Sequence, residues 1–244
     1  MRSYWTNRAA AGKKSKKKVG TRGEAVAGNA MDGFAKLIVR TLLGAGVPEE
    51  WIRVGRRATI PGYYRPEKQW DILVISDGAL RLAIELKSQV GSFGNNANNR
   101  LEEGIGNAVD AQKTLQLRNL GRGGRTWLGF AVLLEDQAKY RKSVKISEHN
   151  FPVDSGLREL SYAGRYMEWC RRVRADGLYS GTAFIRSPRG VKGDYDEPGL
   201  DLTFSRFLSE IRGLWGPPKP PAHMQTILDT LPSGSIDPPS KVGS

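Results

Sequence analysis

Three residues on two neighbouring strand-like segments form the most informative chemical pattern of this chain. Asp71 lies near the start of the segment Trp70–Ser76, and Glu85 and Lys87 lie two residues apart in the segment Leu80–Lys87. Because side chains alternate along a strand, Glu85 and Lys87 must project from the same face. Two neighbouring carboxylates repel each other, so they ordinarily stay ionised together only when a cation sits between them. A small set of oxygen ligands suits Mg²⁺, which keeps several waters and also binds phosphate oxygens.

A site of this kind predicts metal-assisted phosphoryl chemistry. The metal would neutralise charge on a scissile phosphate and lower the pKa of a bound water. Lys87 is placed to orient or help deprotonate that water and to stabilise the developing negative charge. The alternative interpretation is structural, with Asp71 a strand-edge carboxylate and Glu85 and Lys87 a surface ion pair of a common type. Polar residues at paired positions of two otherwise apolar strands are costly to bury, which favours the catalytic interpretation.

The register of the predicted hairpin decides whether Asp71 joins Glu85. Asp77-Gly78 is a strong turn signal between the two strands. A three-residue loop, or a two-residue turn with one bulge, places Asp71 opposite Glu85 and Leu73 opposite Ala83. A strict two-residue turn separates the carboxylates, because a slip of one residue reverses every side chain. The first register is favoured because it leaves an apolar set on the other face, namely Trp70, Ile72, Val74, Leu82, Ile84 and Leu86.

The elements that position these strands follow from hydrophobic periodicity and turn residues. They predict an α/β fold with a central mixed β-sheet flanked by helices. The expected elements are a helix from Met31 to about Gly44, a structured loop over 51–68, an asparagine-rich loop over 92–99 that caps a helix starting near Arg100, a buried strand at Trp127–Leu134, a helix over 157–176, a strand over 178–185 and a helix over 200–214.

Composition and charge predict one catalytic domain and exclude several kinds of site. Of the net charge of +13, residues 1–22 contribute eight Lys or Arg and no acid, whereas the body of the chain over 23–216 carries only +5. We expect a basic flexible arm over 1–22, either solvated or binding phosphates, a catalytic domain over 23–215 and a Pro-rich flexible tail over 216–244. One cysteine and two histidines exclude an internal disulfide and a Cys/His zinc site. The absence of a long apolar run and of a secretory signal predicts a cytoplasmic protein with no membrane partner.

A set of short motifs in the first half of the chain resembles a known family. An aspartate followed after about a dozen residues by Glu-x-Lys is the pattern of the PD-(D/E)xK nuclease superfamily. Together with that pattern, the flanking motifs resemble the XhoI family of type II restriction endonucleases from about Trp5 to Phe184, and the asparagine block is the most specific of them. The sequence departs from the superfamily motif at one point, because Gln69-Trp70 precedes Asp71 where the superfamily has proline. The motifs that carry the likeness are Met31-Asp32-Gly33-Phe34, Pro61-Gly62-Tyr63-Tyr64-Arg65-Pro66, Trp70-Asp71, Glu85-Leu86-Lys87-Ser88 and Ser92-Phe93-Gly94-Asn95-Asn96-Ala97-Asn98-Asn99-Arg100.

The resemblance implies a restriction-endonuclease-like core and a set of functional properties. It implies Mg²⁺-dependent cleavage of double-stranded DNA at a palindromic hexamer such as 5′-CTCGAG-3′, leaving 5′-phosphate and 3′-hydroxyl ends. It also implies a homodimer and a cognate DNA methyltransferase that protects host DNA. Asp71, Glu85 and Lys87 would be catalytic, and the metal would be held by Asp71, Glu85 and the backbone carbonyl of Leu86.

Residues on both sides of the catalytic strands are candidates for DNA contact. Asparagine side chains read adenine in the major groove, and Arg100 suits guanine or phosphate. The alternative is that Asn98 and Asn99 only cap a helix and that Asn95 or Asn96 adopts a left-handed turn. A carboxylate from the first helix, Glu24 or Asp32, is a candidate additional metal ligand. The predicted DNA-binding residues are Asn95, Asn96, Asn98, Asn99, Arg100, Tyr64, Arg65 and Lys68.

Two other functions compete with restriction. One is a structure-specific repair or junction nuclease of the same superfamily. The other is a non-catalytic DNA-binding protein that keeps the fold, and the intact triplet of Asp71, Glu85 and Lys87 argues against it.

Overall fold

A mixed five-stranded sheet forms the centre of the computed structural model, which describes residues 1–15, 31–91, 93–146, 150–190 and 192–216. Its strands are, in spatial order, β1 (Ile52–Val54), β4 (Ile72–Ser76), β5 (Ala79–Gln89), β6 (Trp127–Glu135) and β7 (Gly181–Ser187). The β1–β4 and β4–β5 pairs are antiparallel, and the β5–β6 and β6–β7 pairs are parallel. A separate two-stranded ribbon is formed by β2 (Thr59–Pro61) and β3 (Glu67–Gln69).

Helices cover both faces of the sheet, as the nearly continuous burial of its central strands requires. They are α1 (Arg2–Ser15), α2 (Asp32–Gly44), α3 (Phe93–Arg118), α4 (Tyr162–Ala175) and α5 (Phe204–Gly213). One core contains side chains of α1, α2 and α5, and the other contains side chains of α3 and α4. The predicted α/β fold, with a mixed sheet between helices, is confirmed. Along the described residues, no helix has the length and apolar character needed to cross a membrane.

The hairpin between β4 and β5 has the predicted register, reached by a turn and a bulge. Ser76 pairs with Ala79 around the two-residue turn Asp77-Gly78, whose φ angles of 52° and 69° are those of a hairpin turn with two left-handed residues. The register then shifts between Val74 and Ile75, so that Leu73 faces Ala83. Of the two arrangements that the sequence left open, the two-residue turn with one bulge is the one that forms.

Three parts of the chain differ from the sequence-based expectation. The expected flexible arm over 1–22 is helical over Arg2–Ser15, and its Tyr4 and Trp5 are buried in the core, while residues 16–22 lie outside the described part. The expected loop over 51–68 contains β1, β2 and β3. The apolar set assigned to one face of the hairpin loses Trp70, which packs in the opposite core, because the chain before β4 turns aside to bond with Ala58.

Candidate active site

Asp71 lies immediately before β4 and is fixed against β5 by its backbone and its side chain. Its backbone N–H donates to the carbonyl of Ile84 at 3.1 Å, and its Oδ2 accepts the backbone N–H of Leu86 at 2.6 Å. Because β4 begins at Ile72, the Asp71 carboxylate takes the place of a backbone carbonyl as the acceptor for the Leu86 N–H. Because Ile72 faces Ile84, the same register brings Asp71 opposite Glu85.

The ionisation of Asp71 is disfavoured in the metal-free protein. Burial, followed by the charge of Glu85, raises the pKa of Asp71 from 3.8 to about 6. The hydrogen bond from Leu86 and the ammonium groups of Lys87 and Lys68 lower this pKa by a smaller amount. A carboxylate in this position is stabilised by a cation, because a cation offsets both its lost hydration and its repulsion from Glu85.

Glu85 is held by two lysines in the interior of the protein. Its side chain is buried, with Oε1 at 2.5 Å from Lys87 Nζ and Oε2 at 2.8 Å from Lys68 Nζ. Both oxygens therefore carry a charge-assisted hydrogen bond, which fixes the orientation of the carboxylate. With Asp71 ionised, the two carboxylates and two ammonium groups sum to zero charge.

Lys87 is a cation in this arrangement and has no free pair of electrons with which to accept a proton. Burial by itself lowers its pKa, but the charge and hydrogen bond of Glu85 and the charges of Asp71 and Glu103 outweigh that effect. The pKa of Lys87 consequently lies above its ordinary value of 10.5. This ammonium state of the metal-free protein suits the orienting of water and the stabilisation of negative charge.

The position of Lys68 depends on the tryptophan that replaces the proline of the superfamily motif. Lys68 Nζ lies 5.2 Å from the centre of the Trp70 ring and donates to the carbonyl of Gln69 at 2.8 Å. The Trp70 backbone N–H donates to Ala58 at 2.7 Å, a bond that proline could not make. Trp70 therefore holds both the chain and the ammonium group that contacts Glu85. Lys68, which was predicted to contact DNA, pairs with Glu85 in the structure.

A cleft of about 550 Å³ adjoins Asp71, at the start of β4, and Lys87, near the end of β5. Asp71 and Lys87 line it together with Arg100 and Glu103 of α3. Arg100 Nη1 pairs with Glu103 Oε2 at 2.6 Å, and Glu103 is near enough to raise the pKa of Lys87. Sequence reasoning missed Glu103, although the spacing of three residues between Arg100 and Glu103 is a signal for a helical ion pair.

The loop over 61–66 is anchored to α3 by one buried carboxylate. Asp110 Oδ1 accepts the backbone N–H groups of Tyr63 at 2.8 Å and Tyr64 at 2.7 Å, and its Oδ2 lies 3.1 Å from Arg65 Nε. Arg65 also donates to the side chain of Asn107 at 3.2 Å. The two predicted DNA-binding residues of this loop thus differ in their availability to a ligand. Tyr64 is 67% exposed, whereas the side chain of Arg65 is bound to Asp110 and Asn107 of α3.

The asparagine block is helical instead of a loop. Because α3 begins at Phe93, the backbone of Asn95, Asn96, Asn98 and Asn99 lies inside this helix. The expectation that a helix starts near Arg100 was wrong, and so were the cap and left-handed-turn alternatives. Asn98 and Asn99 have exposed side chains, and the side chains of Asn95 and Asn96 lie outside the described residues.

The donor atoms near Asp71 fit Mg²⁺ with few protein ligands. Among the described residues, no three His, Cys, Asp or Glu side chains come together as a metal-binding group. Mg²⁺ is commonly bound by one or two carboxylates, with water and phosphate oxygens completing the shell. The Leu86 N–H points to Asp71, and the N–H and carbonyl of one strand residue share a side, so the Leu86 carbonyl is directed there too. Asp32 lines an adjoining groove with Asp71, and Glu24 lies outside the described residues.

Comparison with known proteins assigns the chain to a family. The family model described as "Restriction endonuclease XhoI" matches residues 10–197, most of the chain. The chain belongs to the XhoI restriction endonuclease family. Family membership confirms the resemblance found in the sequence and the expectation of an enzyme.

Three type II restriction enzymes are similar to the chain in sequence. The chain is 37% identical over 202 residues to "Type II restriction enzyme BstVI" of Geobacillus stearothermophilus, covering 80% of this chain and 90% of that protein. It is 37% identical over 180 residues to "Type II restriction enzyme XhoI" of Xanthomonas vasicola, covering 72% and 73% respectively. It is 45% identical over 108 residues to "Type II restriction enzyme AbrI" of Azospirillum brasilense, covering 43% and 49%. No solved structure matches the chain.

Proposed function

We propose that this chain hydrolyses phosphodiester bonds of double-stranded DNA at a palindromic hexamer, with Mg²⁺ held by Asp71, Glu85 and the Leu86 carbonyl. The observation that carries the proposal is the fixing of the Asp71 carboxylate against β5, opposite Glu85 and in one cleft with Lys87. Membership of a restriction endonuclease family supports the same chemistry. The products are a 5′-phosphate and a 3′-hydroxyl.

Charge balance explains how these residues serve the reaction. When bound, Mg²⁺ would supply positive charge for the phosphate and lower the pKa of a bound water. The side-chain charges of the site sum to zero, because the carboxylates of Asp71 and Glu85 balance the ammonium groups of Lys68 and Lys87. The positive charge of a bound metal would therefore act on the negative charge of the phosphate. The Lys87 ammonium orients the attacking water and donates to the developing oxyanion. Lys68 keeps Glu85 oriented from the other side.

Sequence specificity is proposed from the family and from symmetry. We take 5′-CTCGAG-3′ as the first hexamer to test, because the chain covers most of a relative named XhoI. A palindrome presents two identical half-sites, which a two-fold homodimer matches. Such an enzyme requires a cognate methyltransferase to protect the host DNA. Because both proteins act on DNA inside the cell, we also propose a cytoplasmic location. The exposed Asn98, Asn99 and Tyr64 are proposed DNA contacts, and Arg100 is proposed as a phosphate contact at the cleft.

Digestion of a plasmid that contains CTCGAG, followed by sequencing of the fragment ends, tests the function directly. We expect discrete fragments with Mg²⁺, none with EDTA, and a loss of at least about 100-fold in rate for Lys87→Ala. Lys139→Ala, which removes a lysine outside the cleft, is the matched control and should cleave normally. Preference for branched DNA would replace this proposal with a repair nuclease, and binding without cuts would replace it with a DNA-binding protein. Full activity of Lys87→Ala would refute the assignment of Lys87.

A further inference from the structure

A second groove adjoins the catalytic cleft on the side of α2. It has a volume of about 970 Å³ and contains Asp71 and Leu86 in its wall, as the catalytic cleft does. The two hollows therefore adjoin at Asp71 and Leu86. A DNA strand bound with one phosphate at Asp71 would extend from the site in both directions, and the second groove offers a path for one of them.

The second groove carries three exposed basic residues. Lys36 and Arg40 lie four residues apart on α2, so they share one face of the helix, and Arg56 lies on the short helical turn after β1. None of the three has a carboxylate within ion-pair distance in the part of the chain that the structure describes. Their positive charges are thus available to an external anion.

Some arginines elsewhere on the surface differ from these residues, because carboxylates already neutralise them. Arg171 pairs with Asp201 at 2.8 Å, and Arg174 pairs with Glu210 at 2.7 Å. Unpaired basic side chains are therefore unevenly distributed over the described surface, and one group of them lies beside Asp71. Unpaired cations beside a polyanion-cleaving site bind phosphates through counterion release.

We propose that Lys36, Arg40 and Arg56 form a phosphate-binding track that holds the DNA backbone on the α2 side of Asp71. The proposal rests on the proposed function, since it takes double-stranded DNA as the substrate. The track contacts phosphates and no bases, so it contributes affinity for any sequence and positions the strand over the carboxylates. The groove also contains the apolar Val39 and Val54, which suit the sugar edge of the strand.

The salt dependence of binding to a short duplex without CTCGAG, measured by fluorescence anisotropy in EDTA, tests the track. Log affinity falls against log salt with a slope of about −0.9 for each neutralised phosphate. For Lys36→Gln/Arg40→Gln/Arg56→Gln we expect the slope to become shallower by about two to three over roughly 50 to 200 mM salt. The single variant Arg40→Gln should change it by about one.

The matched control removes the same charge from the opposite end of the sheet. Arg118, Arg122 and Arg125 are exposed and have no ion pair among the described residues, and the Arg122 guanidinium lies beside Gly78 of the hairpin turn. Their triple Gln variant should leave the slope within about half a unit of the original protein. An equal loss in both triple variants, or no loss in the first, would overturn the track. EDTA prevents cleavage, so the result is independent of whether plasmid digestion supports the proposed function.

Discussion

Replacing Asp71 by asparagine should stabilise the metal-free protein while abolishing cleavage. The asparagine oxygen can still accept the Leu86 N–H, but the substitution removes the charge that burial and Glu85 disfavour. Raising the pKa of Asp71 from 3.8 to about 6 corresponds to about 3 kcal/mol at pH 8, because one pKa unit is about 1.4 kcal/mol. That figure is an upper limit, since the site relaxes around either side chain.

The pH dependence of this stabilisation has a defined sign. Below pH 3.8 the Asp71 carboxyl is neutral in both the folded and the unfolded chain, so it costs nothing. As the pH rises through 3.8 towards about 6, the unfolded chain releases its proton first, and the original protein loses stability relative to the variant. Asp71→Asn should therefore have nearly the stability of the original protein at pH 3.5 and exceed it at pH 8.

Urea unfolding in EDTA at these two pH values, followed by circular dichroism, measures the effect. Asp136→Asn is the control of opposite sign, because the hydrogen bond from Arg141 holds the pKa of Asp136 below its usual value. That variant should lose stability at pH 8. Adding Mg²⁺ should stabilise the original protein through binding and leave Asp71→Asn unchanged. An equal stability of the original protein and Asp71→Asn at pH 8 would refute the argument that Asp71 is held at an energetic cost.

Two further substitutions test the surroundings of the site. Lys68→Met removes one ammonium group from Glu85, so calorimetry without DNA should find Mg²⁺ bound about tenfold more tightly, or about 1.4 kcal/mol. Lys68→Arg keeps the charge and should bind Mg²⁺ as the original protein does, and an unchanged affinity of Lys68→Met would contradict competition between Lys68 and the metal. Trp5→Ala removes a buried ring and should cost about 3–5 kcal/mol in urea unfolding. The exposed Thr6→Ala should change stability by no more than about 0.5 kcal/mol, and a similarly small effect of Trp5→Ala would mean that α1 is not part of the core.

The hairpin could be predicted because local sequence determines it. Asp77-Gly78 specifies the turn, and the separation of polar from apolar residues specifies the register, even with a bulge between Val74 and Ile75. Asp71 and Glu85 were therefore correctly expected to face each other. The family motifs added the asparagine block, whose specificity the local pattern alone does not provide.

The remaining features depend on contacts between distant parts of the chain. Helix α1 has only Tyr4 and Trp5 as large apolar residues near its start, so its sequence has no hydrophobic period that predicts a helix. The packing of these two side chains in the core stabilises it. The pairing of Lys68 with Glu85 joins β3 to β5, and no spacing in the sequence reports such a contact. Trp70 leaves its predicted face because its partner is Ala58, in a segment that was expected to be a loop.

Helix α3 joins the cleft to the residues that we propose as DNA contacts. Its 26 residues contain the asparagine block at one end, Arg100 and Glu103 at the cleft, and Asp110, which anchors the loop over 61–66. Asn96 and Asp110 are about 21 Å apart along a helix of 1.5 Å rise per residue. Gly104 lets this helix lie directly on Trp169, since an added Cβ there would stand 2.6 Å from the ring. A change in the tilt of α3 would therefore move the asparagine end, the cleft wall and the anchored loop together, so any fit between the asparagines and DNA would act on the geometry of the cleft.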